Sequence, residues 1–407
     1  MYIRAILQNF LFNDMVILGR LSIRQVLDDD LSIVVLPSSL LLDRDNDSVE
    51  APHHPRYAIA HQMEVFRQRA AQSYLDIFRT FCQNRCRVRR TLFHSLQDWE
   101  MVQADAEEID QLLQLQTEEK PITYPPLGGV PSHSLPLSSW AYHYKLRLME
   151  WTVQLGFELE IYQPDELAGM YWYLGHLSHT RVLHLERIRF FTAQRLEPPG
   201  AASSSKTRPA APSPQLTRSK AYLYLATLEA AATSELADAL SQLYAALLRL
   251  GLITPPPRPY STDALRYEVR MKPFAPIGLP ALPSFEAFAH AVTRPETPTL
   301  GLLDGAARAA GRARSTLEGM AKMGAGEVFA VGCLERWRAG VREWNKAAIA
   351  VVLAVGTVRR VVEEVGEVGE VGEEGEGEGV KERLSLQVPR PEEGYHEWWI
   401  VPKVVEK

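Results

Sequence analysis

Between Arg56 and Lys120 the chain carries neither glycine nor proline, and its apolar residues recur at steps of three and four. Ile59, Met63, Phe66, Ala70, Tyr74, Ile77 and Phe81 form the first run. Val88, Leu92, Leu96, Trp99, Val102, Ala106, Ile109 and Leu113 resume it. That spacing holds one helix face apolar. The pattern predicts a strut, either one helix on the order of 95 Å long at 1.5 Å per residue or two helices broken near Thr91 to Ser95. Pro121 to Leu137 is a loop. Ser138 or Ser139 can cap a helix reaching about Tyr162. Pro164 then opens a helix to about Leu196, with Asp165 and Glu166 in the first turn, where acids suit the helix dipole. The short Gln163-Pro164 joint predicts an antiparallel pair, rich in Trp and Tyr.

Glu197 to Gln215 has linker composition. Thr217 to Leu250 is helical and is stopped by Gly251. Leu252 to Pro283 has too many prolines for a helix and too many large apolar side chains for a free linker. It is expected to lie extended across the helices. Helix returns from Ser284 to about Met323 and again from Glu327 to about Glu364. Glu363 to Gly379 is a Val-Gly-Glu repeat with too few large apolar residues to pack, which predicts disorder. Leu384 to Val405 alternates and contains Trp398 and Trp399, as a strand pair or arm that docks back would. Leu31 to Leu36 reads as a short apolar strand or a buried extended segment.

The expected fold class is all-α. It is an elongated multi-helix scaffold with one very long helix or helix pair, a proline-rich extended segment and a short C-terminal β-like arm. The expected division is a mixed segment at 1–55, the strut and aromatic helix pair at 56–196, and a flexible linker at 197–216. A helical region with a proline-rich brace follows at 217–362, then a disordered acidic repeat at 363–380 and a docking arm at 381–407.

Composition changes this picture little. The net charge of −6 gives no general attraction to nucleic acid or an anionic membrane. Three cysteines, Cys82, Cys86 and Cys333, are no disulfide framework and suit a reducing compartment. Met1 to Gly19 lacks the layout of a signal peptide, and Ala347 to Val355 is about half of the ~20 residues that span a bilayer. The expectation is a cytoplasmic protein with no membrane segment.

Four features carry candidate chemistry. Cys82 and Cys86 share a helix face, but structural zinc needs four ligands, so core packing is preferred. His176, His179 and His184 have no partner motif of the di-metal kind. Arg308 to Ala313 fits R-x-x-G-x-A, a pyrophosphate-loop pattern that requires a strand, a turn and a helix N-terminus. Its flanks here read as continuous helix. Arg79, Arg85, Arg87, Arg89 and Arg90 form the one dense basic cluster. It is a candidate contact for ribosome, RNA or an acidic partner, weighed against a solvated helix face balanced by Asp98, Glu100, Asp105, Glu107 and Glu108. No catalytic, cofactor-binding or metal-binding residue is assigned.

Three stretches, 55–110, 140–177 and 266–285, resemble the large auxiliary subunit of the NatC N-terminal acetyltransferase. The most specific pieces are Cys82, Gln83, Asn84 and Arg85, the run Gly156 to Tyr162, and Tyr171, Trp172, Tyr173 and Leu174. The likeness covers about Met1 to Phe288 and matches the C-terminal half of longer family members. The resemblance implies a non-catalytic, ribosome-associated scaffold that holds a GNAT-fold catalytic subunit and a small Sm-like subunit. The complex would acetylate nascent N-termini that begin with Met and a bulky apolar residue. Acetyl-CoA would sit on the catalytic partner only. The competing readings are a helical tether that binds ribosome or RNA through the basic cluster, and an acetyl-CoA-binding enzyme acting through Arg308 to Ala313.

Overall fold

The computed structural model describes residues 69, 85–119, 137–196, 214–323, 333–368 and 373–407. The mixed segment at 1–55 and most of the linker at 197–216 lie outside them. Helix α1 (Arg85–Glu119) runs unbroken through Thr91 to Ser95, so the predicted break is not there. Arg69 is also helical and ion-pairs with Asp105, 36 residues further on. On one straight helix those residues would stand ~54 Å apart.

Helix α2 (Leu137–Glu158) begins just before the two serines expected to cap it. It also ends earlier than predicted. The Ile161 N–H donates to the Gly156 carbonyl at 2.9 Å and the Glu160 N–H to that of Phe157 at 3.0 Å. This is a Schellman closure. Its left-handed position is Glu160, at φ 52, rather than the glycine that would have announced it. A 3-10 turn (Pro164–Glu166) follows, in which Glu166 reaches back to the Gln163 N–H at 2.9 Å. Helix α3 (Leu167–Leu196) continues from it. Helix α4 (Pro214–Arg249) closes on Gly251, at φ 65, as predicted.

The proline-rich segment departs from expectation. It is non-helical at both ends, but its proline-free middle forms helix α5 (Asp263–Met271), and a 3-10 turn (Lys272–Phe274) built on Pro273 follows. The Thr262 side chain accepts from the Leu265 N–H at 3.2 Å, Asp263 sits in the first turn and Arg270 in the last. Caps and dipole thus favour a helix that the proline count concealed. The helix expected over Ser284 to Met323 is two helices, α6 (Phe285–Thr293) and α7 (Thr299–Lys322). Arg294, at φ 43, terminates α6. Pro295 and Pro298 bar continuation.

Helix α8 (Cys333–Val368) and helix α9 (Glu373–Arg383) occupy the two ends of the Val-Gly-Glu repeat. Disorder was expected there. Val380 is fully buried, and Val365 packs against the core. Strands β1 (Leu384–Gln387) and β2 (Lys403–Glu406) pair antiparallel, with Leu384 opposite Glu406.

The helices stack in series: α1 on α2, α2 on α3, α3 on α4, α4 on α7 and α7 on α8. Helix α6 bridges α3 and α4, while α9 and β2 cover α8. Alanines admit the close approaches. Ala226, Ala230 and Ala237 of α4 and Ala306, Ala309, Ala310 and Ala313 of α7 are buried in one continuous core. Trp99 pins α1 to that core. It is fully buried and donates its indole N–H to the Ala141 carbonyl at 3.0 Å.

Candidate functional site

Arg79 lies outside the described residues. Arg85, Arg87, Arg89 and Arg90 occupy the first two turns of α1, and Arg90 is exposed. A helix places Arg85 and Arg89 on one side and Arg87 and Arg90 on another. The histidines do not converge. His176 and His179 are exposed, and His176 stacks on Trp172 at 5.6 Å. His184 donates through Nε2 to the Ser139 carbonyl at 2.7 Å. Cys82 is outside the described residues and Cys86 lies on α1. Arg308 to Ala313 sits in mid-helix on α7, where Ala309, Ala310 and Ala313 are buried. Amides there are engaged by the helix and do not form the phosphate-facing terminus the motif needs.

A buried ion network was not singled out from the sequence. Arg147 of α2 donates to Glu150 at 3.0 Å and to Glu229 of α4 at 2.7 Å. Arg181 of α3 donates through Nε to Glu150 at 3.1 Å. The side chains of Arg147, Glu150 and Arg181 have no exposure. Two cations balance two anions where three helices meet. Removing one member of such a network leaves an uncompensated buried charge, which is strongly destabilising. The sequence signal was present: charges three apart on the otherwise apolar, aromatic α2.

The C-terminal arm enters the same core. The Tyr171 hydroxyl donates to the Trp398 carbonyl at 2.9 Å and accepts from the Ile400 N–H at 2.8 Å. Tyr244 donates to the Ile400 carbonyl at 2.9 Å. Trp399 is fully buried, with its ring 6.1 Å from Tyr171 and 5.4 Å from Trp344. Burial holds both phenols far above their usual range and pushes His396 down to about 3. These groups stay neutral and serve as hydrogen-bonding fixtures.

The proline-rich brace is held by charge at the α2–α3 corner. Asp165 accepts from Arg266 at 2.7 Å. Glu166 receives Arg270 as a fork, at 2.7 and 2.6 Å. Phe274 packs edge-on to Tyr173 at 5.0 Å. Glu100 of α1 accepts from Lys145 at 3.1 Å and from the Gly278 N–H at 3.0 Å.

One cavity of about 320 Å³ opens between α7, α8 and the segment 391–397 of the arm. Its walls include Trp337, Trp344 and Tyr395. Glu229, Glu343, Glu392 and Glu397 also line it, and no Lys or Arg does. Among the described residues no group of three or more His, Cys, Asp and Glu side chains is arranged to hold a metal. No helix among them is long and apolar enough to cross a membrane.

Serially stacked helices with one shared core, and no convergent catalytic set among the described residues, define a helical-repeat array of the kind that presents extended binding surfaces. A family model described as "NAA35-like, TPR repeats" matches residues 1–363, and the chain belongs to that family. It is 26% identical over 216 residues to the Drosophila melanogaster N-alpha-acetyltransferase 35, NatC auxiliary subunit homolog, covering 50% of this chain and 27% of the relative. It is 27% identical over 245 residues to the NatC auxiliary subunit of Saccharomyces cerevisiae, covering 54% of this chain and 30% of that one. Among solved structures, a chain of the NatC complex bound to Gag peptide and CoA superposes with a TM-score of 0.64 at 18% identity. The match covers 98% of this chain and 52% of that one. The apo NatC complex gives 0.60 at 18% identity, covering 99% and 54%. The chain thus spans about half the length of the solved chains it matches and under a third of the curated relatives.

Proposed function

We propose that this chain is the non-catalytic auxiliary subunit of a NatC-type N-terminal acetyltransferase complex. It acts in the cytoplasm as the scaffold on which a GNAT-fold catalytic subunit and a small Sm-like subunit assemble at the ribosome. The supporting observation is the family match over residues 1–363, joined to a fold shared with a chain of the NatC complex. Acetyl-CoA belongs to the catalytic partner. The complex would act on nascent N-termini beginning with Met and a bulky apolar residue. The division of labour fits the fold: a stacked core fixes geometry, while the single acetyltransferase-like motif is spent inside α7.

The test is purification of the tagged chain from its own cells. A GNAT-fold protein and a small Sm-like protein should co-elute, and the eluate should acetylate a Met-Leu peptide. The chain alone should neither bind acetyl-CoA nor acetylate the peptide. Micromolar acetyl-CoA binding by the chain alone, abolished by Arg308→Ala, would instead establish the enzyme reading. Replacing Arg79, Arg85, Arg87, Arg89 and Arg90 by Gln tests the tether reading. Ribosome co-sedimentation and its salt dependence should fall if these residues serve RNA.

A further inference from the structure

The cavity lies between α7, α8 and the arm. It is concave, its walls are aromatic and its lining charge has one sign. Trp337 and Trp344 are seven residues apart, hence on one face of α8, and both are nearly buried. Their orientation is fixed by packing. Trp344 donates its indole N–H to His396 Nε2 at 3.0 Å and stands at 5.4 Å from Trp399. Tyr395 is different. It remains 52% exposed beside the cavity, although it belongs to an arm whose other aromatics are buried.

The carboxylates are also unequal. Glu229 already receives Arg147 at 2.7 Å. Glu343 and Glu392 are exposed, and no ion pair among the described residues engages either. The nearby cations are committed or turned elsewhere. Arg338 pairs with Glu335 at 2.8 Å, and neither Arg342 nor Arg390 lines the cavity.

Aromatic faces attract cations through the ring quadrupole, most strongly where water is displaced. Carboxylates at the mouth add charge-assisted hydrogen bonds, and a guanidinium can donate two of them in one plane. The volume stands at the lower end of the ~300–1,000 Å³ range of ligand pockets. That suits one long side chain better than a nucleotide or an extended peptide. We propose that this cavity receives an Arg or Lys side chain of a partner polypeptide, stacked against Trp337, Trp344 and Tyr395 and neutralised by Glu343 and Glu392. The assignment of the source to a partner polypeptide rests on the scaffold reading; the chemistry of the cavity does not.

The experiment titrates the full chain, following tryptophan fluorescence, with a capped Ala-Ala-Arg-Ala-Ala peptide. The same peptide with citrulline in place of arginine serves as the uncharged isostere, and spermidine as a free polycation. The arginine peptide should bind at least tenfold more tightly than the citrulline peptide. Binding should weaken with salt and fall at least fivefold in E343Q/E392Q. Both glutamates are exposed and unpaired, so the double variant should melt like the parent. Tyr395→Ala, also at an exposed position, should weaken binding independently. Equal binding of the two peptides, or undiminished binding in E343Q/E392Q, would overturn the site. Spermidine binding as tightly as the arginine peptide would overturn the polypeptide source while leaving the co-purification test of the scaffold untouched.

Discussion

His143 is buried with neither ring nitrogen hydrogen-bonded. Desolvation, reinforced by the charges of Arg181, His184 and Arg147, holds its pKa well below the ordinary histidine value. A histidine whose folded pKa is depressed binds a proton more readily when unfolded. Its contribution to stability is therefore intact above about pH 6.5 and is lost as the pH falls toward the folded value. His396 acts in the same direction, over a window from about 6.5 down to about 3. Melting temperature should fall steadily as the pH drops from 6.5 to 4.5. Each such histidine can contribute up to ~1.4 kcal/mol per pH unit. His143→Phe should flatten that slope and leave the protein no less stable at pH 7.5, since replacing a buried unsatisfied polar group by an apolar one is near neutral or stabilising. Thermal melts of parent and variant across this range decide it; an unchanged slope would remove His143 from the account.

At the scale of elements, the α2–α3 corner and the brace hold each other. The Asp165 side chain is 2% exposed and accepts from Arg266 at 2.7 Å and Arg258 at 3.5 Å. Helix α5 is nine residues long, well short of the ~12–15 at which isolated helices become even marginal in water. It must be borrowing stability from this corner. Asp165→Ala should cost ~1.5–3 kcal/mol, the usual worth of hydrogen bonds to charged groups. It should also release the brace before the rest of the array. Limited proteolysis would show early cleavage within 252–283, while the α4–α7 pair stays protected. Cleavage spread evenly over the chain would mean that the brace and array unfold as one unit.

At the scale of the whole molecule, the arm closes the array. Tyr171 and Tyr244 are both fully buried, and among the described residues their hydroxyls find partners in the backbone of residues 398–400. Truncation after Val388 would remove Trp398 and Trp399, expose the faces of α3, α4 and α8 beneath them, and orphan both hydroxyls. The loss should exceed that of a single large-to-small core change, ~3–5 kcal/mol for Trp→Ala. The truncated chain should aggregate or melt far below the parent. A small change in melting temperature would show that the arm is an ornament. The arm also supplies one wall of the acidic, aromatic cavity, so truncation should abolish binding of the arginine peptide as well.

Local chemistry sufficed wherever a single segment decided its own state. The three-and-four spacing through Leu92, Leu96, Trp99 and Val102 gave α1 its buried face. Pro164 with Asp165 and Glu166 opened the α3 turn, and Gly251 closed α4. The all-α class and the C-terminal strand pair followed from the same periodicities. Where the chain used a signal without its usual residue, the sequence misled. Glu160 and Arg294 adopt left-handed conformations that glycine normally marks, so one helix ended early and another split. The helix hidden among prolines and α9, at the far end of the Val-Gly-Glu repeat, are short or low in large apolar residues. Their own composition does not stabilise them, and only neighbouring elements do. The ion network of Arg147, Glu150, Arg181 and Glu229 and the cavity beneath Tyr395 join residues far apart in the chain. Periodicity reports which face of an element is buried, not which distant face it meets. That pairing exists only once the helices have stacked, because buried charges and open cavities are properties of the interface between elements.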